Sequence, residues 1–285
     1  MNKYPINYED FKNTFDTEKQ CIDYLYNLRW KNGFSCPRCE CHDVWQINEK
    51  KYKCKNCGYQ TTVISGTYLQ GTHVSLMTWL EAIWYVVSQR GESNAMDLQE
   101  FLNLGNNRTA LNLLYKIRTV MKECDSEKLH GEVFVDDIKL YSKREPKESN
   151  TFLAVEMNAD SVSRIRLHTD SSVPYSFKNF IETYIERGSK IHIKNPEKYI
   201  KYQYFAHGYS YLVKRDVGAW TPHPKTKPIF EYLKQNDLYC NTPRNSSHSS
   251  KSLCMDECCY KYNRKDKDIG FLFHEIIYNA VHMKP

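Results

Sequence analysis

The sequence predicts a mixed α+β and α/β chain: an N-terminal helical segment and a zinc ribbon, a helix-turn-helix module, then a mixed sheet flanked by helices. Three features predict it. Two Cys-x-x-Cys pairs bracket a hairpin-like stretch. Apolar residues then recur at helical spacing through residues 75–125. From residue 132 the pattern switches to alternation, which suits strands.

Residues 7–30 read as helical, with Asp10 or Thr17 as caps and Phe11, Cys21, Leu25 and Leu28 on one face. In residues 31–63, Gly33, Pro37 and Gly58 punctuate the chain, and VWQI and KYKC form the predicted hairpin. Three helices follow. SLMTWLEAIWYVVSQ is capped by Ser75, SNAMDLQEFLNLG ends at Gly105, and RTALNLLYKIRTVM begins near Asn106 or Asn107. A helix, a short Gly-containing turn and another helix make a helix-turn-helix pattern. EVFVDDIKLYS, TFLAVEMN and SVSRIRLHT are strands, SFKNFIETYIERG is a helix, and KIHIK is a further strand. Tyr-rich strand-like segments follow in 199–220, then a short helix, KPIFEYLKQN, and two closing helices, SKSLCMDECCYKYN and DIGFLFHEIIYNAVH. The implied divisions are 1–30, 31–74, 75–128 and 129–285.

The chain has 285 residues, 41% of them apolar, so it can bury a core and is not a disordered chain. Its net charge of +6 is compatible with a polyanionic partner. The 22 tyrosines suit base stacking, but a biased base composition of the gene explains them as readily. An odd count of 11 cysteines, with paired knuckles, argues against a secreted disulfide framework. The polar start, MNKYPINYEDFKNTF, is no signal peptide, and no apolar run approaches the roughly 20 residues that span a bilayer. The expectation is a soluble intracellular chain with no membrane partner, in the cytoplasm and nucleoid or in a nucleus depending on the host.

Cys36 and Cys39 are separated by fourteen residues from Cys54 and Cys57. Thiolates are the preferred ligands of structural zinc, and two knuckles clamp the ion from either side of a hairpin. Cys41 and His42 lie close enough in sequence to compete but read as surface residues of the turn. Cys21, Cys124, Cys240, Cys254, Cys258 and Cys259 lack knuckle spacing, and Cys254 with Cys258 reads as ordinary helix packing. On the third helix of the central module, Arg108, Asn112, Tyr115, Lys116 and Arg118 surround an apolar stripe of Leu111, Leu114, Ile117 and Val120. Such side chains either reach a DNA groove or form a solvated helix face.

The runs CIDYLYNLRWKNGFSCPRCE, YKCKNCGYQTTVISGTYLQGT, LMTWLEAIWYVVSQRG and RTALNLLYKIRTVM together resemble the front half of zinc-ribbon insertion-sequence DDE transposases related to the Merlin superfamily. Cys21, Trp30, Pro37, Thr62, Gly66, Thr67, Trp79, Thr109 and Ala110 match that pattern in order, along with the four knuckle cysteines, Lys116 and Arg118. The likeness continues more weakly through LHGEVFVDDIKL, TFLAVEMN, GSKIHIKNPEKY, HGYSYL and DECCYKYNRK. It implies a ribonuclease H-like core with three acidic residues holding two metal ions for in-line attack on phosphate. Magnesium would be a cofactor only if that core were active, since hard cations need carboxylate oxygens. Double-stranded DNA is the implied partner and a homodimer the implied assembly.

The acidic pattern is incomplete. Asp136 falls at the family's strand-borne Asp, and Asp137, pointing to the other face by alternation, replaces a usual Glu. Aligning Gly188, Ser189, His192 and Tyr199 places Lys194 at the second acid and Asn195 at a Gly. Lys is a donor-only cation and repels metal. Aligning Leu233 and Lys234 puts Lys227 at the third acid, in agreement with His223, while Glu231 one turn on is the alternative. Asp160 and Asp170 could supply a carboxylate but, in a loop and at a strand end, read as solvated. The sequence therefore suggests a transposase-derived DNA-binding protein without nuclease or strand-transfer activity. The alternatives are an active two-metal transposase and a zinc-ribbon protein-interaction module.

Overall fold

The computed structural model describes residues 4–71, 73–89, 91–142, 145–159, 161–169, 175–194, 207–214, 227–235 and 248–284. Asp160, Asp170, Asn195, Tyr199, His223 and Cys240 lie outside them. The chain forms two compact units, one of residues 1–89, 95–120 and 266–285, the other of 90–94 and 121–265.

The first unit begins with α1 (Tyr8–Thr14) and α2 (Glu18–Arg29). Asn7, rather than Asp10, caps α1, accepting from the Asp10 N–H at 2.8 Å. Thr17 and Gln20 form a capping box at the start of α2. Three short antiparallel strands follow, β1 (Val44–Gln46), β2 (Tyr52–Cys54) and β3 (Gln60–Thr61), in the order β1-β2-β3. The predicted hairpin is β1–β2, with Val44 opposite Cys54. Helices α3 (Leu76–Ser88), α4 (Ala95–Phe101) and α5 (Asn107–Cys124) come next, α5 belonging to this unit as far as Val120.

Ser75 caps α3 by accepting from the Thr78 N–H at 3.0 Å. The Glu18 carboxylate accepts from the next two free donors of α3, Leu76 N–H at 3.1 Å and Met77 N–H at 3.2 Å. An acid at a helix N-terminus satisfies orphan donors and opposes the positive end of the helix dipole. The closing helix, Ile269–His282, is set with the sheet by the linear divisions of the sequence, but it packs on α2 and α3. The reason is its apolar face: Phe273 meets Phe11 edge-on at 5.6 Å and Trp84 at 5.6 Å, forming an aromatic core.

The second unit is a five-stranded sheet made of β4 (Glu132–Ser142), β5 (Glu145–Asn158), β6 (Ser161–Thr169), β7 (Lys190–Lys194) and β8 (Ser210–Lys214). Its order is β6-β5-β4-β7-β8. β4–β5 and β5–β6 are antiparallel, while β4–β7 and β7–β8 are parallel. α6 (Tyr175–Tyr184) connects β6 to β7 and buries Phe177, Phe180 and Ile181 against Val133, Val135, Phe152 and Ala154. The opposite face, with Phe134, Leu153 and Leu167, is covered by α7 (Lys227–Gln235) and α8 (His248–Asn263). Alternation on β4 thus fills both layers of the core. Among the described residues no helix is long and apolar enough to cross a membrane.

Candidate metal centre and nucleic-acid interface

The hairpin brings the two knuckles face to face. Cys36 Sγ lies 3.7 Å from Cys57 Sγ, and Cys39 Sγ lies 3.6 Å from Cys54 Sγ. All four sulfurs fall within 4.8 Å of one another. A tetrahedral zinc–thiolate site with bonds of about 2.3 Å has sulfur–sulfur edges of about 3.8 Å, so the four side chains fit the ion. The Cys57 backbone N–H, against the cost of burial, and the Asn56 N–H pull the Cys54 thiol down. Against the Tyr59 N–H, burial and the neighbouring thiols push the Cys57 thiol up, so that without an ion the cluster shares its protons. Deprotonation is what a zinc ligand needs. Cys41 and His42 stay out of the cluster; the His42 ring bonds the Phe34 carbonyl at 2.8 Å.

The ribbon is fastened from α2. Arg29 donates to the carbonyls of Thr62, Val63 and Ser65 at 2.9, 2.9 and 2.6 Å. Trp30, Phe34 and Tyr52 form the small core beneath the knuckles, with Trp30 donating to the Ser35 carbonyl at 3.1 Å. These contacts give physical roles to Trp30 and Thr62, two of the residues that carry the resemblance.

Helix α5 is capped by Asn106, whose side-chain Oδ1 accepts from the Thr109 N–H at 2.9 Å. Arg108 and Asn112 are exposed, and Tyr115 is 51% exposed. Lys116 instead reaches across to the preceding loop. Its ammonium donates to the carbonyls of Tyr68 and Gln70, both at 3.3 Å, over the rings of Tyr68 and Trp79. Burial lowers its pKa from the ordinary lysine value. Arg118 is only 8% exposed, so it does not share the open face with Arg108. The apolar stripe also differs from the one expected. Leu111 is 48% exposed, whereas Ala110, Leu113, Leu114 and Ile117 are buried. A stripe chosen at i, i+3, i+6 drifts off a 3.6-residue helix, and the packed face follows the true period.

In the second unit Asp136 is 3% exposed, paired with Leu153 on β5. Asp137 pairs with Phe152; its side chain lies outside the described set. The parallel register of β4 and β7 runs from Glu132 opposite Lys190 to Val135 opposite Ile193. One step further along both strands come Asp136 and Lys194, and Lys194 is the last residue of β7. On α7, Ile229 and Leu233 enter the core, while Lys227 and Glu231 are exposed and lie 3.9 Å apart. Glu231 therefore shares no buried face with Asp136.

Sequence reasoning missed a buried charge network in the same unit. Arg166, 4% exposed, binds the Asp125 carboxylate and the Glu127 carbonyl, the latter at 2.8 Å. Arg264 adds a bond to Asp125 at 3.1 Å and one to the Cys124 carbonyl at 2.8 Å. Asn263 donates to Asp125 at 2.8 Å and accepts from the Ile165 N–H at 2.7 Å. Lys261 pairs with Glu257 at 2.7 Å, and Glu257 accepts from the Ser93 N–H at 3.1 Å. Nearby, burial pushes the Asp256 carboxyl up to about 6, with Lys122 and Arg166 opposing. The available signal was the run DECCYKYNRK, a helix whose charges are interleaved with cysteines and tyrosines instead of segregated on one face.

Residues 16–60 match the transposase zinc-ribbon domain family. That stretch contains α2, β1, β2, the first residue of β3 and all four clustered cysteines. The chain is also 26% identical over 90 residues to an uncharacterized protein in transposable element ISH50 of Halobacterium salinarum. The aligned part covers 30% of this chain and 31% of the relative, so the chain matches about a third of that protein's length.

Proposed function

We propose that this chain is a transposase-derived protein that binds double-stranded DNA through its zinc ribbon and its α4–turn–α5 segment, and that its core neither cuts nor joins DNA. The observation that carries the binding half is α5: a capped helix after a short turn, presenting Arg108, Asn112 and Tyr115 on an open face. This arrangement supports a helix-turn-helix reading, in which the second helix enters the major groove. The transposase zinc-ribbon match at residues 16–60 supports the same partner. Lys116 acts as a tie between loop and helix, and Arg118 as a buried residue, so Arg108 is the expected phosphate contact. A homodimer belongs to the same reading.

Binding to a host-derived duplex will weaken as salt rises. Each phosphate contact contributes about 0.9 to the slope of log K against log salt. Arg108→Ala will lower that slope by about one such contact across all sequences tested. Salt-independent association, or an unchanged slope in Arg108→Ala, counts against the chosen helix. No DNA binding at low salt favours the ribbon as a protein-interaction module.

The strand order β6-β5-β4-β7-β8, with two parallel strands added beside β4, supports a ribonuclease H-like core. In that reading Asp136 is the first acid and Lys194 stands where the second is required; continuing the β4–β7 register by one residue beyond Val135 and Ile193 is in keeping with it. Two-metal phosphoryl transfer holds ions about 3.5–4 Å apart with shared carboxylates. A single Asp cannot neutralise two divalent cations, and a lysine in place of the second acid adds repulsion. A lysine beside a buried aspartate instead compensates its charge. Strand cleavage and strand transfer, assayed with magnesium and then manganese, will be at background. Activity that is present in the parent and abolished by Asp136→Ala would establish the alternative, an active transposase in which Glu231 or another carboxylate completes the site.

A further inference from the structure

Beside α5 the first unit has a half-open cavity of about 320 Å³, lined among others by Tyr68, Trp79, Thr109, Asn112, Tyr115 and Lys116. Its size is at the low end of the range of about 300–1,000 Å³ found for small-molecule sites. Thr109, Asn112 and Lys116 stand at i, i+3 and i+7, so one face of α5 forms one wall. The Tyr68–Gly71 loop forms the opposite wall, held by the two hydrogen bonds from Lys116 to Tyr68 and Gln70. These bonds fix the cavity's width without a ligand, which lowers the ordering cost of binding.

The lining combines aromatic rings with a small set of polar groups. Tyr115, 51% exposed, and the half-buried Tyr68 supply ring surface, the almost wholly buried Trp79 little of it, Asn112 a carboxamide and Thr109 a hydroxyl. A carboxamide offers a donor and an acceptor side by side, the pattern of a nucleobase edge. Among the described residues the Asn112 side chain makes no hydrogen bond, whereas Thr109 Oγ1 donates to Asn106 Oδ1 at 3.0 Å. Arg108 is exposed one turn before Asn112, at the positive end of the helix dipole, where a nucleotide's phosphate is favoured.

We propose that this cavity receives one unpaired nucleobase of the bound DNA, stacked on its aromatic wall and read at its edge by Asn112. The proposal rests on the DNA-binding reading above and specifies the form of DNA taken: a duplex with an extruded or unpaired base. Aromatic stacking alone gives a preference of roughly five-fold or more over a site without a base.

The test measures affinity of the full-length protein for four probes: a paired 20-base-pair duplex, that duplex with one bulged adenine, the same bulge made abasic, and dAMP alone. The bulged adenine is expected to bind at least about five-fold tighter than the abasic bulge. That ratio is expected to fall to about one in Asn112→Ala and in Tyr115→Ala, and to persist in Leu111→Ala, whose side chain lies on α5 but outside the cavity lining. Equal affinity for the bulged and abasic duplexes, with the paired duplex still bound, overturns the base pocket and leaves the DNA-binding reading standing. No binding of any duplex overturns both. Tight binding of dAMP without discrimination between the bulges overturns the DNA-base proposal and assigns the cavity to a free nucleotide.

Discussion

Each chain will carry one zinc ion, and Cys54→Ser will lose it and unfold the ribbon. The knuckle sulfurs are already at the spacing of a tetrahedral thiolate site, with Cys36 near Cys57 and Cys39 near Cys54. Besides the small Trp30–Phe34–Tyr52 core, residues 34–61 are held by little regular structure. β3 has two residues, and β1 and β2 have three each. Hairpins this short are not stable alone. Structural zinc contributes roughly 10 kcal/mol or more to the folding of small metal-dependent domains. When the ribbon opens, Trp30 and Tyr52 lose their shared packing, so tryptophan emission will shift toward that of a solvated ring. The check is metal analysis of the purified protein, with emission spectra before and after chelation. Zinc-free protein with a folded ribbon would remove the claim.

Arg166→Met will destabilise the second unit by about 3–5 kcal/mol, the range for breaking a buried ion pair from one side. The guanidinium is 4% exposed and serves Asp125 together with Arg264 and Asn263. Its removal leaves the 9%-exposed Asp125 carboxylate short of donors and takes a stabilising cation away from Asp256. Desolvation, not lost attraction, dominates that cost. Lys178→Met provides the contrast. Its partner Glu182 is 3.9 Å away on an open helix face, with both side chains about 40% exposed, so the change will stay within about 0.5 kcal/mol. Denaturant unfolding of both variants decides the matter: comparable midpoints would show that the network carries no special weight.

Local pattern was enough wherever chemistry and neighbours in sequence coincide. The C-x-x-C knuckles, the β1–β2 hairpin, and the Thr17 and Ser75 caps were all legible, because each depends on residues a few positions apart. Strands β4, β6 and β7 were legible from period-two alternation, and α6 from its helical period. β5 starts earlier than expected because Glu145–Asn150 of EPKESN carries no apolar alternation, and pairing with β4 makes it a strand.

Tertiary structure decided what depends on partners distant in sequence. A helical wheel cannot tell which side of α5 is covered. The loop carbonyls of Tyr68 and Gln70 claim Lys116, and packing claims Arg118, leaving Arg108, Asn112 and Tyr115 open. Likewise, only packing assigns the closing helix to α2 and α3, since an apolar face specifies burial but not against what. The buried network was hidden for the same reason. Asp125, Arg166 and Arg264 span 139 residues of sequence, and charge alone predicts solvent. The sequence by itself determined the four-cysteine cluster and the order of elements, which follow from short-range covalent spacing. The fold decided which charges are buried and paired and which remain free to meet a ligand, because desolvation depends on the whole surrounding structure.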